Sequence, residues 1–183
     1  MFQVNRLLTS KHKIKGSIFL GFLMPSGEFE ACLERLRKEH HKARHIVYAY
    51  RCMRCARLEE ALHEDREPKH SAQGLLEILR HEQLCQSAVI VVRYFGGVLL
   101  GVGGLMKAYS TSVQLCIQNM RAQDAFEEFQ EPLVCFIPYA KLDALSARAK
   151  KCAVRLEKQC LEPEGVWVRL KGAHASTLLG EIQ

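Results

Sequence analysis

Five glycines fall within nine residues, at 96, 97, 101, 103 and 104, directly behind the uninterrupted apolar run AVIVV (88–92). No other segment constrains the fold as tightly. An apolar run without alternation belongs to a strand covered on both faces. The stripe that follows, Leu105, Ala108, Tyr109, Val113, Cys116, Ile117 and Met120, has the three-and-four spacing of a helix facing a core. A central strand is therefore expected to pass through a glycine loop into a long helix beginning at about Gly104 or Leu105. Glycine permits positive φ and close backbone approach, and a helix start offers unpaired N–H groups with partial positive charge. The loop has two readings, tight packing of strand on helix or an anion site, and the residues alone leave both open. Its spacing is neither the dinucleotide pattern nor the P-loop.

The rest of the first two-thirds alternates strand and helix. KIKGSIFLGFLM, Lys13 to Met24, reads as a strand ended by the Pro25, Ser26, Gly27 turn. A helix follows with Phe29, Cys32, Leu33 and Leu36 on one face, acids in its first turn and RLRKEHHKAR at its end, an order that suits the helix dipole. HIVYAYRC (45–52) reads as a strand, then an irregular charged segment runs to Glu67 and Pro68. A second helix is expected over Ser71 to Leu84, with Ala72, Leu75, Leu76 and Leu79 as its apolar stripe.

RAQDAFEEFQEP (121–132) holds few aliphatic residues and ends in proline, which places a domain boundary there: residues 1–125 and 132–183 are expected as separate domains. The tail reads as strand (LVCFIPY), helix (AKLDALSARAKK), two strands (CAVRLEKQC and EGVWVRLKG) and helix (AHASTLLGEIQ). That order is the ferredoxin-like half-sandwich without its last strand.

Composition narrows the function classes. The 183 residues are 48% hydrophobic and 25% charged, an ordinary globular balance, with no run near the roughly 18 apolar residues that span a bilayer. No membrane partner is expected, and the N-terminus carries no export pattern, so a cytoplasmic setting with reduced cysteines is the expectation. Cys52 and Cys55 form the one C-x-x-C pair. Without a second pair or a strand-to-helix turn beside it, packing is preferred to zinc or redox chemistry, and neither metal nor cofactor is expected. The net charge of +6 is uneven: Lys and Arg outnumber Asp and Glu by nine to four in residues 1–44 and by eight to five in residues 132–183. Arg35, Lys38, Lys42 and Arg44 are the candidate nucleic-acid contacts, against the plainer reading of a solvated helix end.

The motif RYFGGVLLGVGGLMKAY, Arg93 to Tyr109, resembles the signature of the YigZ/IMPACT family: RYFGG followed by LG, GGL and AY. His40, Lys42, Ala43 and His45 fit that family's H-x-K-A-x-H segment, and Asp65, Glu67, Pro68, Ser71 and Ala72 its D-G-E-P-x-G-T-A-G stretch. The resemblance implies an α+β first domain like domain IV of elongation factor G and a ferredoxin-like second domain like its domain V. It also implies a translation-associated role, since eukaryotic members regulate translation. The chain departs from the pattern at Arg66, His70 and Gln73, where the family has glycine. Leu99 stands for the usual Lys, and Lys107 for the usual Arg. Three lost glycines predict that positive-φ turns there are costly and that a shared site is altered.

Two function classes follow. The first is a non-catalytic binding protein whose partner is RNA, the ribosome or a translation-associated protein. The second is an enzyme or small anionic-ligand site between the Gly96–Gly104 loop and the Asp65–Ser71 segment. Its candidate residues are His45, Glu67, His70, Ser71, Arg93, Gly96, Gly97, Gly103, Gly104 and Lys107, with Asp65 as a further polar group. No established catalytic motif is present, so no catalytic residue is named. The discriminating observation is whether His45, Asp65, Glu67, His70 and Arg93 converge in one pocket.

Overall fold

The computed structural model describes residues 1–54, 57–68 and 70–180 and divides the chain into two compact units, Met1–Phe129 and Gln130–Gln183. The first unit contains, in order, β1 (Phe2–Val4), β2 (Leu8–Ile14), β3 (Ser17–Pro25), α1 (Phe29–Glu39), β4 (His45–Arg54), β5 (Arg57–His63), α2 (Ser71–His81), β6 (Ser87–Tyr94), α3 (Gly101–Ala122) and β7 (Phe126–Glu128). Five strands form one antiparallel sheet in the order β2-β3-β6-β4-β5, and β1 pairs with β7 beside it. The architecture is mixed α and β.

β6 is the central strand, and its sequence explains why. Val89 and Val91 pack toward α2 and α3 with Phe19, Leu23, Val47, Leu75, Leu79 and Tyr109. Ala88, Ile90 and Val92 point the other way, onto Phe29, Leu33 and Leu36 of α1. A strand with helices on both faces must be apolar at every position, and burial of each such aliphatic side chain is worth about 1.5–3 kcal/mol. Truncating fully buried Leu75 or Leu79 to alanine would cost about 2–5 kcal/mol.

Four sequence expectations are corrected. The single strand expected over Lys13 to Met24 is the end of one strand and most of another, because Lys15 and Gly16, both at positive φ, close a two-residue hairpin turn. The segment expected to be irregular holds β5, an edge strand with mostly exposed side chains and therefore no apolar alternation. The long helix starts at Gly101, three residues earlier than expected, and Cys152 caps α4 rather than lying in a strand.

The second unit runs β8 (Leu133–Pro138), α4 (Tyr139–Lys151), β9 (Arg155–Glu162), β10 (Gly165–Lys171) and α5 (Ala175–Gly180), with an antiparallel sheet in the order β8-β10-β9. Its core joins Val166, Val168 and Leu170 of β10 to Leu142, Leu145 and Leu178 of the two helices. Among the described residues no helix is long and apolar enough to cross a membrane. Cys52 is buried in β4, whereas Cys55 lies outside the described residues, as does the geometry of that pair.

Candidate functional site

Strand parity assembles the site. His45 precedes Val47 and Ala49 on β4, and Arg93 follows Val89 and Val91 on β6, so both face the α2/α3 layer. The register places Arg93 directly opposite His45 on one side and Phe19 of β3 on the other. Tyr109 lies on the core face of α3, edge-on to Phe19 with ring centroids 5.1 Å apart. Glu67 reaches the same spot from the loop between β5 and α2.

Glu67 is the hub of the cluster. Glu67 Oε1 accepts hydrogen bonds from Arg93 Nη1 and, at 2.9 Å, from the Tyr109 hydroxyl. His45 Nε2 stands 3.6 Å from the same oxygen. Because His45 Nδ1 lies 2.7 Å from the Asp65 carbonyl, which can only accept, Nδ1 carries the hydrogen and the Nε2 edge faces Glu67. The Glu67 and Arg93 side chains are 3% and 8% exposed, a buried ion pair that holds only because further donors complete it. Burial, reinforced by the Glu67 carboxylate, pushes the Tyr109 phenol far above its ordinary range, so it stays a neutral donor. The Arg93 guanidinium sits between the Phe19 and Phe95 rings, 5.6 and 5.8 Å from their centroids. Its Nε is buried with no hydrogen-bond partner among the described residues.

Above this cluster opens a cleft of about 340 Å³, bounded by Arg44, His45, Glu67, Arg93 and the apolar groups of Pro68, Phe95, Leu99, Leu100, Val102 and Leu105. Arg44 lies over Phe95 at 5.5 Å. Leu99 and Val102 are 83% and 57% exposed, so the rim presents an apolar surface to solvent. With Glu67 paired to Arg93, Arg44 leaves the mouth positive.

Of the five polar groups whose convergence was the test, His45, Glu67 and Arg93 meet. Asp65 turns back to accept from the Ile46 amide at 2.7 Å, and His70 is exposed elsewhere. Ser71 is buried and donates to the Pro68 carbonyl, a local turn contact. Lys107 is exposed on α3 and does not line the cleft. Arg35 and Lys38 are engaged along α1 with Glu39 and Glu34, and Lys42 is exposed. Tyr109 went unassigned because it reads as one more stripe residue. A phenol on a helix's buried face nevertheless needs a polar partner, and that signal was available.

The glycines divide by role. Gly97 and Gly101 have φ of +87° and +70°, and a Cβ on Gly96 would stand 1.8 Å from the Gly16 carbonyl carbon. Those three are structural. Gly103 and Gly104, in the first turn of α3, have neither positive φ nor a crowding neighbour within 3.4 Å. At two of the three positions where the family pattern has glycine, the chain adopts positive φ without it: Arg66 and His70 have φ of +64° and +79°. Gln73 is inside α2. The turns at Arg66 and His70 are made at the expected cost, with the left-handed strain carried by residues that bear a Cβ.

Residues 15–117 match the family model of the Impact N-terminal domain. An IMPACT family member from Haemophilus influenzae is 30% identical over 154 residues, which cover 81% of this chain and 74% of that protein. The IMPACT family member YigZ of Escherichia coli is 30% identical over 150 residues, 79% of this chain and 72% of the relative. A crystal structure described as that of a hypothetical protein superposes with a TM-score of 0.70 at 24% identity, covering 98% of this chain and 89% of the other, and so shares the fold. The matched region contains the whole Glu67, Arg93 and Tyr109 cluster together with the glycine loop, and on these matches the chain belongs to the IMPACT family.

Proposed function

We propose that this chain is a non-catalytic binding protein that acts in translation, in the cytoplasm, docking its partner on the apolar rim of the glycine-loop cleft. One observation carries the reading: the Glu67 carboxylate at the cleft floor is taken up by Arg93 and Tyr109, while the exposed apolar lining is Phe95, Leu99 and Val102. Catalysis needs a polar group aimed at open space; adhesion needs exposed apolar surface. The translational setting follows from family membership and the role of its eukaryotic members. Likeness to domains IV and V of elongation factor G belongs to the same proposal, supported by the β8-β10-β9 order, that of a ferredoxin-like sheet short of its fourth strand.

The test is co-sedimentation of the full chain with purified ribosomes through a sucrose cushion. Wild type is expected in the pellet, and Leu99→Glu, at a position too exposed to affect folding, in the supernatant. Equal pelleting of both, or none by wild type, refutes the proposal. A second reading, a small anionic ligand, draws on the unpartnered Arg93 Nε and the open first turn of α3. Thermal stabilisation by phosphate or sulfate that disappears on Arg44→Ala would favour it.

A further inference from the structure

The second unit leaves one face of its sheet uncovered. Val166, Val168 and Leu170 of β10 point into the core with α4 and α5, so Trp167 and Arg169 stand on the opposite face. Trp167 is paired in register with Phe136 of β8, ring centroids 5.8 Å apart at 63°, and Arg169 with Val134. Trp167 is 38% and Val134 54% exposed. The Trp167 indole N–H donates to Glu162 Oε1 at 2.8 Å, which fixes the ring against the strand. On β9, Cys160 lies across from Trp167, Glu157 from Arg169 and Arg155 from Lys171. Among the described residues this face carries the cations Arg155, Arg169 and Lys171 and the acids Glu157 and Glu162.

We infer that this face is a stacking platform for single-stranded nucleic acid, with Trp167 and Phe136 receiving bases and Arg169 a backbone phosphate. Two aromatic side chains on adjacent strands of an open sheet, flanked by arginine, match what base stacking requires. The exposed apolar part of the face is small, two part-exposed rings and a valine set among charged side chains, a poor core for a stable protein interface of roughly 800 Å² per partner. They suffice for one or two bases. The inference is independent of the cleft in the first unit; RNA is the form that a translational role would supply.

The chain has a single tryptophan, so fluorescence excited selectively at tryptophan reports this site alone. Titration of the full chain with octauridylate RNA at low salt is expected to quench Trp167 saturably. In anisotropy with labelled octauridylate, Trp167→Ala and Phe136→Ala are each expected to weaken binding at least tenfold, and Trp167→Phe, which keeps a ring, less than threefold. Arg169→Ala should weaken it severalfold and reduce the slope of log affinity against log salt by about one. Far-UV circular dichroism verifies each fold, and Trp167→Phe with Arg169→Ala decides the matter if the alanine variants fail to fold. Absent quenching, unaltered binding by Trp167→Ala or by Arg169→Ala, or equal binding of an eight-base-pair duplex would overturn the platform.

Discussion

His70→Gly is expected to stabilise the protein. His70 stands at the start of α2 with φ 79° and ψ 1°, and makes no side-chain cap to the helix. Its backbone N–H donates to Glu64 Oε1 at 2.7 Å, a bond that glycine keeps. The left-handed conformation costs a residue bearing Cβ roughly 1–2 kcal/mol. Glycine removes that strain but loses about 0.4–1 kcal/mol through its freer unfolded chain. The net gain is about 0.5–1 kcal/mol. With a urea m-value of about 2 kcal/mol/M, the midpoint followed by far-UV circular dichroism should rise by about 0.3–0.5 M. His70→Ala is the control: it removes the imidazole but keeps Cβ, and its midpoint should stay near that of wild type. If glycine gives no more than alanine, the strain does not reside in the backbone and the reasoning fails.

Gly97→Ala and Gly101→Ala should each lower stability by more than about 1 kcal/mol, whereas Gly103→Ala, at an ordinary helical φ in open space, should be neutral or stabilising by up to about 1 kcal/mol in the same melts. Glu67→Ala leaves Arg93 buried without its carboxylate and should cost about 3–5 kcal/mol by urea denaturation. Tyr109→Phe should cost about 1–3 kcal/mol at neutral pH. The raised phenol also sets a sign: its contribution is complete below about pH 10 and is lost above, as the unfolded chain ionises while the folded one does not. Wild type should therefore lose about 1 kcal/mol more than Tyr109→Phe in melts between pH 10 and 11. Limited proteolysis should cut first in residues 129–132, between β7 and β8, and first cleavage within 85–110 would contradict the two-unit layout.

The central strand was legible because both its faces are apolar, and the stripe of α3 because its period is unbroken over four turns. The start of α3 was not, since four residues rich in glycine carry no helical signal even when the first turn is built from them. β5 escaped for a related reason: an edge strand needs only one neighbour, and RLEEALH shows no apolar alternation. Within the site, Arg93 and His45 followed from their motifs, but their meeting depends on β4-β6 register, which no local pattern encodes. Glu67 and Tyr109 are 42 residues apart, and only the folded sheet makes them partners. The left-handed Arg66 and His70 run against their own residue preferences, so only the family pattern pointed to those positions.

The meeting of the hairpin turn with the glycine loop has a consequence for how this sequence can change. A Cβ on Gly96 would strike the Gly16 backbone, and a Cβ on Gly16 would come within 2.6 Å of the Gly96 carbonyl oxygen. The two residues, eighty positions apart, occupy one shared space that admits a side chain from neither. Once a first substitution has pushed hairpin and loop apart, the second meets less resistance, so the double variant should be less damaged than the two single losses added together. Seen along a lineage, either glycine holds the other in place, and the cleft's rim can drift only after both have been released.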